Sequence, residues 1–215
     1  MADHRIFAAI YDRLMSGTEK GGLSEMRADL LREARGRTLE LGAGTGHNLP
    51  HYTPSVTELV LTEPDRFMAV RLRKHLAAEP PAPATVEVVD APAEQLPFED
   101  GSFDTVVATL VFCTVEDPER AAAELRRVLR ADGVLLYLEH VRSPDSERLR
   151  RWQDRLERPW GWFGAGCHPN RPTDALLPAA GFEVTRMDRD KLPKSELTPW
   201  VSPLIRGSAR PTSAA

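Results

Sequence analysis

From residue 38 onward, short runs of β-branched and aliphatic residues alternate with segments whose apolar residues recur at helical spacing. This alternation constrains the fold more than any other feature of the chain. Strand, helix and strand in repeated order give a parallel sheet, because each crossover helix returns the chain to the same end of the sheet. The runs predict strands over Thr38–Leu41, Thr57–Glu63, Thr85–Asp90, Thr105–Thr109 and Val134–His140, with two more near Phe182–Met187 and Ser202–Ser208.

The intervening helices carry their own end signals. Asp117 caps a helix that has Pro118 in its first turn and Ala121, Ala122, Leu125, Val128 and Leu129 along one stripe, with Asp132-Gly133 as its stop. Asp65 opens another, with Met68, Leu72 and Leu76 on one side and Pro80-Pro81 beyond its end. Two helices ahead of the sheet, Arg5–Met15 and Ser24–Ala34, are expected to form a lid, joined by a flexible connection over Ser16–Gly22. The Arg-rich segment Ser146–Arg158 repeats Leu149, Trp152 and Leu156 at helical spacing, so these form an inner stripe beneath a basic face. Its position beside the carboxyl ends of the strands makes Trp152 a candidate wall of the substrate pocket. An irregular loop over Pro159–Pro169 and a helix near Thr173–Ala180 follow.

A chain of 215 residues accommodates one α/β domain with a full core. Within it we read lid helices over 1–35, a ligand-binding core over 37–140, a substrate-side segment over 141–207 and a flexible tail over 208–215. A formal charge of -4 supplies no positive field for nucleic acid. Cys113 and Cys167 form no CxxC pair, and the six histidines lack ligand spacing, so neither a disulfide framework nor a metal site is expected. The N-terminus does not read as a leader, and no stretch is apolar for long enough to span a bilayer. The expected setting is cytoplasmic, without a stable membrane anchor, as a monomer or homodimer.

The chemistry centres on Thr38-Leu39-Glu40-Leu41-Gly42-Ala43-Gly44-Thr45-Gly46, a strand running into a tight turn and a helix start. Glycines there allow positive φ and close approach of a ligand to the backbone. A dinucleotide fingerprint has its third glycine three positions after the second, where this chain has His47; Gly46 comes one position too early. Glu40 sets an acid at the end of the first strand, suited to a cationic amino group and unfavourable to a pyrophosphate. Glu63, at the end of the second strand, can accept both hydroxyls of a ribose. Asp90-Ala91-Pro92-Ala93-Glu94-Gln95-Leu96-Pro97-Phe98 offers backbone groups to an adenine edge, with Leu96 and Phe98 as its wall.

In order and spacing, the glycine turn, the ribose acid and Ala93-Glu94-Gln95-Leu96-Pro97-Phe98 resemble the class I S-adenosylmethionine-dependent methyltransferases over roughly residues 37–140. The resemblance implies a Rossmann-like three-layer sandwich, with a mostly parallel seven-stranded sheet and an antiparallel last strand. It also implies S-adenosylmethionine as cofactor, held by Tyr11, Glu40, Gly42, Ala43, Gly44, Gly46, Asn48, Glu63, Pro64, Met68, Pro92, Ala93, Thr109 and Leu110. Pro92 departs from relatives in the quinone-methylating group, which often carry an acid there. Further segments, Thr109 to Val115, Leu138 to Val141, Trp152-Gln153, Pro159-Trp160, Gly166-Cys167, Arg171 and Ser202 to Gly207, resemble small bacterial relatives of the alkyl-thiol methyltransferases.

A small, partly apolar acceptor is implied, with a thiol as the leading reading. A phospholipid amine, a quinone or a natural product is the alternative. A nicotinamide oxidoreductase and a non-catalytic cofactor-binding protein are the readings from other classes. The sulfonium methyl is already activated, so alignment of the nucleophile and exclusion of water suffice, and a thiol gains modestly from a nearby base. His140, at the end of the fifth strand, is the first candidate for that base and His168 the second. Arg171 and Trp152 are the substrate-side candidates.

Overall fold

The computed structural model describes residues 5–164, 166–192, 195 and 198–212. Seven strands form one sheet in the order β3-β2-β1-β4-β5-β7-β6. They are β1 (Gly36–Leu41), β2 (Val56–Thr62), β3 (Thr85–Val89), β4 (Phe103–Thr109), β5 (Leu129–His140), β6 (Phe182–Lys191) and β7 (Pro203–Pro211). The pairs β1–β2, β1–β4, β2–β3 and β4–β5 are parallel, whereas β7 runs antiparallel to both β5 and β6. The expected mostly parallel sheet with an antiparallel last strand is therefore present. The strand order steps outward in both directions from the β1–β4 junction, and it is there that doubly wound sheets bind ligands.

Side-chain alternation along the strands splits the core in two. Leu39, Leu41, Val106, Ala108, Leu135 and Tyr137 pack with α4 (Pro118–Val128) on one face. Leu59, Leu61, Val107, Leu136, Leu138 and Leu204 pack with Leu30 and Leu31 of α2 (Ser24–Leu31) on the other. By the same alternation Glu40, Thr109 and His140 belong to the α2 face, and Glu139 to the α4 face.

Several expected boundaries move, for local reasons. α1 (Arg5–Thr18) does not give way to a flexible connection; a wide π turn, Glu19–Leu23, bent at Gly22 with φ +132°, carries it into α2. Leu129 leaves the helical region at φ -79°, ψ 134°, and pairs with Phe103, so β5 begins before Asp132-Gly133. α5 (Glu147–Phe163), capped by Ser146 Oγ accepting from the Leu149 amide, runs through Pro159 and takes up much of the expected irregular loop. Its buried contact is Gln153, whose Nε2 donates to the carbonyls of Val141, Pro169 and Trp200, while Trp152 faces outward. Leu149 and Leu156 stay partly buried on the inner side as expected, and Gln153 takes the place expected for Trp152. Ser208–Pro211, expected as tail, continue β7, where Ser208 pairs with Leu136 and Ala209 with Leu135. The expected tail residues 213–215 lie outside the described residues.

Candidate active site

β1 ends in a bend built on three left-handed glycines, Gly42 (φ +58°), Gly44 (φ +60°) and Gly46 (φ +96°). Two of them serve different needs. A methyl group on Gly46 would lie 2.6 Å from Leu49 Cδ1 and 2.9 Å from Leu72 Cδ1, so this glycine lets the bend close on the core. A methyl group on Gly44 would meet nothing within 4 Å, so this glycine faces open space. The bend is tied to the end of β2 by the Ala43 amide donating to Thr62 O at 2.8 Å. The helix expected to start here is reduced to one 3-10 turn, Leu49–His51.

Glu63 joins the two strand ends. Its Oε2 accepts from the Gly44 amide at 2.7 Å and its Oε1 from the Asp65 amide at 2.9 Å. Burial lifts its pKa to about 7, against the pull of those two amides. Asp65 caps α3 (Arg66–Ala78) by accepting from the Phe67 and Met68 amides.

Glu40 lies deeper. Its Oε2 accepts from Tyr52 Oη at 2.7 Å and its Oε1 from Asn48 Nδ2 at 3.0 Å. Burial raises it to about 7, although Tyr52, Asn48 and the Arg27 charge all favour the carboxylate. Arg27 is buried, donating through Nη1 to Asn48 Oδ1 and to Thr109 Oγ1, each at 3.0 Å, and through Nε to Glu19 Oε1 at 3.1 Å. Asn48 Nδ2 also donates to Thr109 Oγ1 at 2.9 Å. The network satisfies a buried cation and a buried acid together, as low-dielectric burial demands.

These groups enclose a cavity of about 50 Å³ lined by Tyr11, Arg27, Glu40, Gly42, Ala43, Gly44, Thr45, His47, Asn48, Thr109 and Leu110. Its roof is α1, fastened by Thr45 Oγ1 donating to Asp12 Oδ1 at 2.6 Å and by the Tyr11 ring 5.7 Å from His47. Tyr11 is partly buried, and desolvation of its hydroxyl pushes its pKa up to about 12. That volume holds a water or two and is too small for a nucleoside in this conformation. Leu110, at the carboxyl end of β4, is the single described non-glycine residue at positive φ, +59°. Such strain costs about 1–3 kcal/mol and clusters at ligand clamps.

Among the cofactor residues expected from sequence, Tyr11, Glu40, Gly42, Ala43, Gly44, Asn48, Thr109 and Leu110 meet around this cavity, and Glu63 bonds into it through Gly44. Gly46 and Met68 are packed just outside; Pro64 and Pro92 are exposed, and Ala93 is buried in the α4-side core. Sequence reasoning missed Arg27, whose signal was a lone cation on the apolar side of α2, and His47, which was weighed only as a departure from a dinucleotide fingerprint.

The acceptor-side candidates are scattered. His140 is buried, and burial drops its pKa to about 4 despite backbone groups of Val201 and Pro203; its Nδ1 has no hydrogen-bond partner among the described residues. His168 pairs through Nδ1 with Glu157 Oε1 at 2.9 Å near the surface. Arg171 donates through Nη1 to the carbonyls of Phe112 at 2.5 Å and Val115 at 2.7 Å, stitching the loop after β4. Trp152 is 43% exposed and forms no wall of the cavity. Cys113 and Cys167, remote in sequence, lie beside each other as buried free thiols, Cys113 Sγ donating to Leu110 O at 3.6 Å, and their proximity raises Cys113 and lowers Cys167. Glu139 accepts from the Val111 and Phe112 amides, and burial lifts it to about 7. No group of histidine, cysteine and acid side chains suited to a metal is found among the described residues.

A parallel sheet that switches direction beside a glycine bend, with one acid beneath the bend and another bonded to it, defines a nucleoside-binding α/β protein. Known proteins narrow this class. A family model described as a methyltransferase domain matches residues 39–137. The thiol S-methyltransferase TMT1B of Homo sapiens is 37% identical over 177 residues, covering 80% of this chain and 69% of its own. The thiol S-methyltransferase TMT1A of the same organism is 30% identical over 205 residues, covering 94% and 82%. A solved structure from Thermotoga maritima, described as a SAM-dependent methyltransferase and possible histamine N-methyltransferase, superposes with a TM-score of 0.67 at 25% identity, covering 98% of each chain. The chain belongs to the class I S-adenosylmethionine-dependent methyltransferases. It is an enzyme, and S-adenosylmethionine is its cofactor.

Proposed function

We propose that the enzyme transfers the methyl group of S-adenosylmethionine to the sulfur of a small, partly apolar thiol. The observation that carries the thiol reading is the likeness to the two human thiol S-methyltransferases along most of the chain, at up to 37% identity. The cofactor supplies an activated methyl on a sulfonium. The chain's own residues then have to bind, orient and keep water out.

In this reading Glu63 takes the ribose hydroxyls, with the Gly44 backbone beside them. Arg27 and Asn48, already turned toward the cavity, take the carboxylate of the methionine end, and Glu40 lies close enough to favour its ammonium. Ala93 and the exposed Pro92 border the adenine. Tyr11, carried by α1, folds over the methionine end once the ligand is seated. His140 is assigned as an orienting partner for the acceptor: a ring whose pKa is about 4 stays neutral and can hold the incoming S–H by accepting its hydrogen bond, the proton then leaving to solvent as the thiolate forms. His168, held by Glu157 near the surface, is the weaker of the two. A free thiol of pKa about 8.5 supplies enough thiolate at neutral pH for an unassisted displacement. Trp152 is withdrawn as an acceptor contact because it faces solvent; Arg171, whose Nη1 holds the loop after β4, is assigned to positioning that loop.

The test is an initial-rate comparison of a short alkyl thiol, a phosphatidylethanolamine and a quinol, with product masses identified. S-methylation of the thiol at a kcat/KM well above the other two supports the reading. Turnover of the lipid amine or the quinol alone removes it, and cofactor binding without any product favours a non-catalytic role.

A further inference from the structure

We propose that the outer face of α5 is a docking surface for an anionic lipid bilayer, which the enzyme approaches reversibly. At 100° per residue, Arg148, Arg151, Trp152, Arg155, Arg158 and Trp162 fall within one third of the helix circumference, and all six are exposed. The three acids of the helix, Glu147, Asp154 and Glu157, fall on another arc. Two of them are engaged away from this face, Asp154 with Arg142 at 2.5 Å and Glu157 with His168 at 2.9 Å, while Glu147 at the edge of the strip makes only a loose, solvated pair with Arg151 at 3.9 Å. The inner arc, with Gln153 at its centre, is fixed to the body of the protein by three carbonyls.

Trp162 is 83% exposed and Trp152 43%, and the other exposed large hydrophobic among the described residues, Val70, lies on α3. Two exposed indoles therefore lie on the same strip as four guanidinium groups, within a chain of net charge -4. Burying neither indole in the core wastes apolar area that a folded protein ordinarily covers, and the interfacial layer of a bilayer suits indole and guanidinium together. The strip is convex and carries no groove in which successive bases could stack, which favours lipid over nucleic acid. Arg155 over the Trp152 ring, 6.0 Å from its centroid, keeps a charge beside the indole without hiding it. α5 follows β5 directly, so docking would turn the carboxyl edge of the sheet toward the region where apolar acceptors partition. The proposal stands on this face alone and does not depend on the thiol assignment.

The experiment is sedimentation of the full-length protein, without cofactor or acceptor, with vesicles of phosphatidylcholine alone and of equimolar phosphatidylcholine and phosphatidylglycerol. Binding to the anionic vesicles, weakened by salt, is expected. The variant R148Q/R151Q/R155Q/R158Q should lose about fivefold in partition per charge removed. The variant W152A/W162A should lose about tenfold. A variant with R73Q and K74Q, on exposed positions of α3, should bind as the parent does. Thermal melting and S-adenosylhomocysteine affinity check that each variant is folded. Absence of binding to anionic vesicles, equal binding to neutral ones, or an equal loss in the α3 variant would overturn the proposal. So would tight binding of a single-stranded oligonucleotide with none to vesicles.

Discussion

Replacing Glu63 by alanine should separate cofactor binding from folding, because this side chain costs the free protein something and repays it only on binding. A rise of its pKa from the ordinary 4.5 to about 7 corresponds to about 3 kcal/mol of disfavoured ionisation in the fold. Removing the carboxylate relieves that cost but strands the Gly44 and Asp65 amides, at about 1 kcal/mol or somewhat more each. The two effects nearly cancel, so the melting temperature of the ligand-free variant should stay within a few degrees of the parent. Binding is different. Two ribose hydroxyls donating to an ionised carboxylate are worth about 1.5–3 kcal/mol each, so affinity for S-adenosylhomocysteine should fall by about 10²- to 10⁴-fold. Glu63→Gln, which keeps the shape, should fall about tenfold and lose the pH dependence described below. Titration calorimetry with parallel melting curves reads both quantities. An affinity within about threefold of the parent, on folded material, would refute the ribose assignment.

The same burial fixes the pH response. Glu40, Glu63 and Glu139 all have folded-state pKa values near 7, so the folded chain holds more protons than the unfolded one between pH 4.5 and 7. Stability of the free enzyme should therefore fall across that window and flatten above it, with His140, lowered to about 4, opposing the trend in part. The bound cofactor favours ionised Glu63, so affinity should rise through pH 7 with proton release, seen as a buffer-dependent binding heat; a flat profile would contradict this. His140→Ala should lower kcat about tenfold with cofactor affinity unchanged and the pH profile unmoved, whereas loss of an acidic limb would reveal a true base. Gly46→Ala should cost about 2–4 kcal/mol of stability through contact with Leu49 and Leu72, and Gly44→Ala only about 1 kcal/mol, its damage appearing as weaker cofactor binding. Chemical denaturation distinguishes the two, and equal destabilisation would refute the division of labour between these glycines.

The strand order and the bend were legible because periodicity and glycine spacing are local signals. The capping residues Asp65, Asp117 and Ser146 were legible for the same reason: each cap is satisfied within three residues. What escaped depends on pairing across the fold. Arg27 gains its meaning only from Asn48 and Thr109, 21 and 82 positions away. Arg171 looked like a substrate contact until its two carbonyl partners on the loop after β4 were apparent. Trp152 was assigned to the inner stripe because hydrophobicity outweighed hydrogen bonding in the reading, yet Gln153 is buried by three backbone carbonyls that no periodicity reveals. The two cysteines, 54 positions apart, meet for a similar reason: the loop after β4 and the turn after α5 are joined by the His168 amide donating to Cys113 O.

The most direct trial of the central claim is a calorimetric titration of the unmodified enzyme with S-adenosylmethionine, its demethylated product and NADH in turn. The two sulfur nucleosides should bind at one site per chain, with proton release near neutral pH, and NADH should give no heat. Saturable binding of NADH, or silence with both nucleosides on folded protein, would contradict the account.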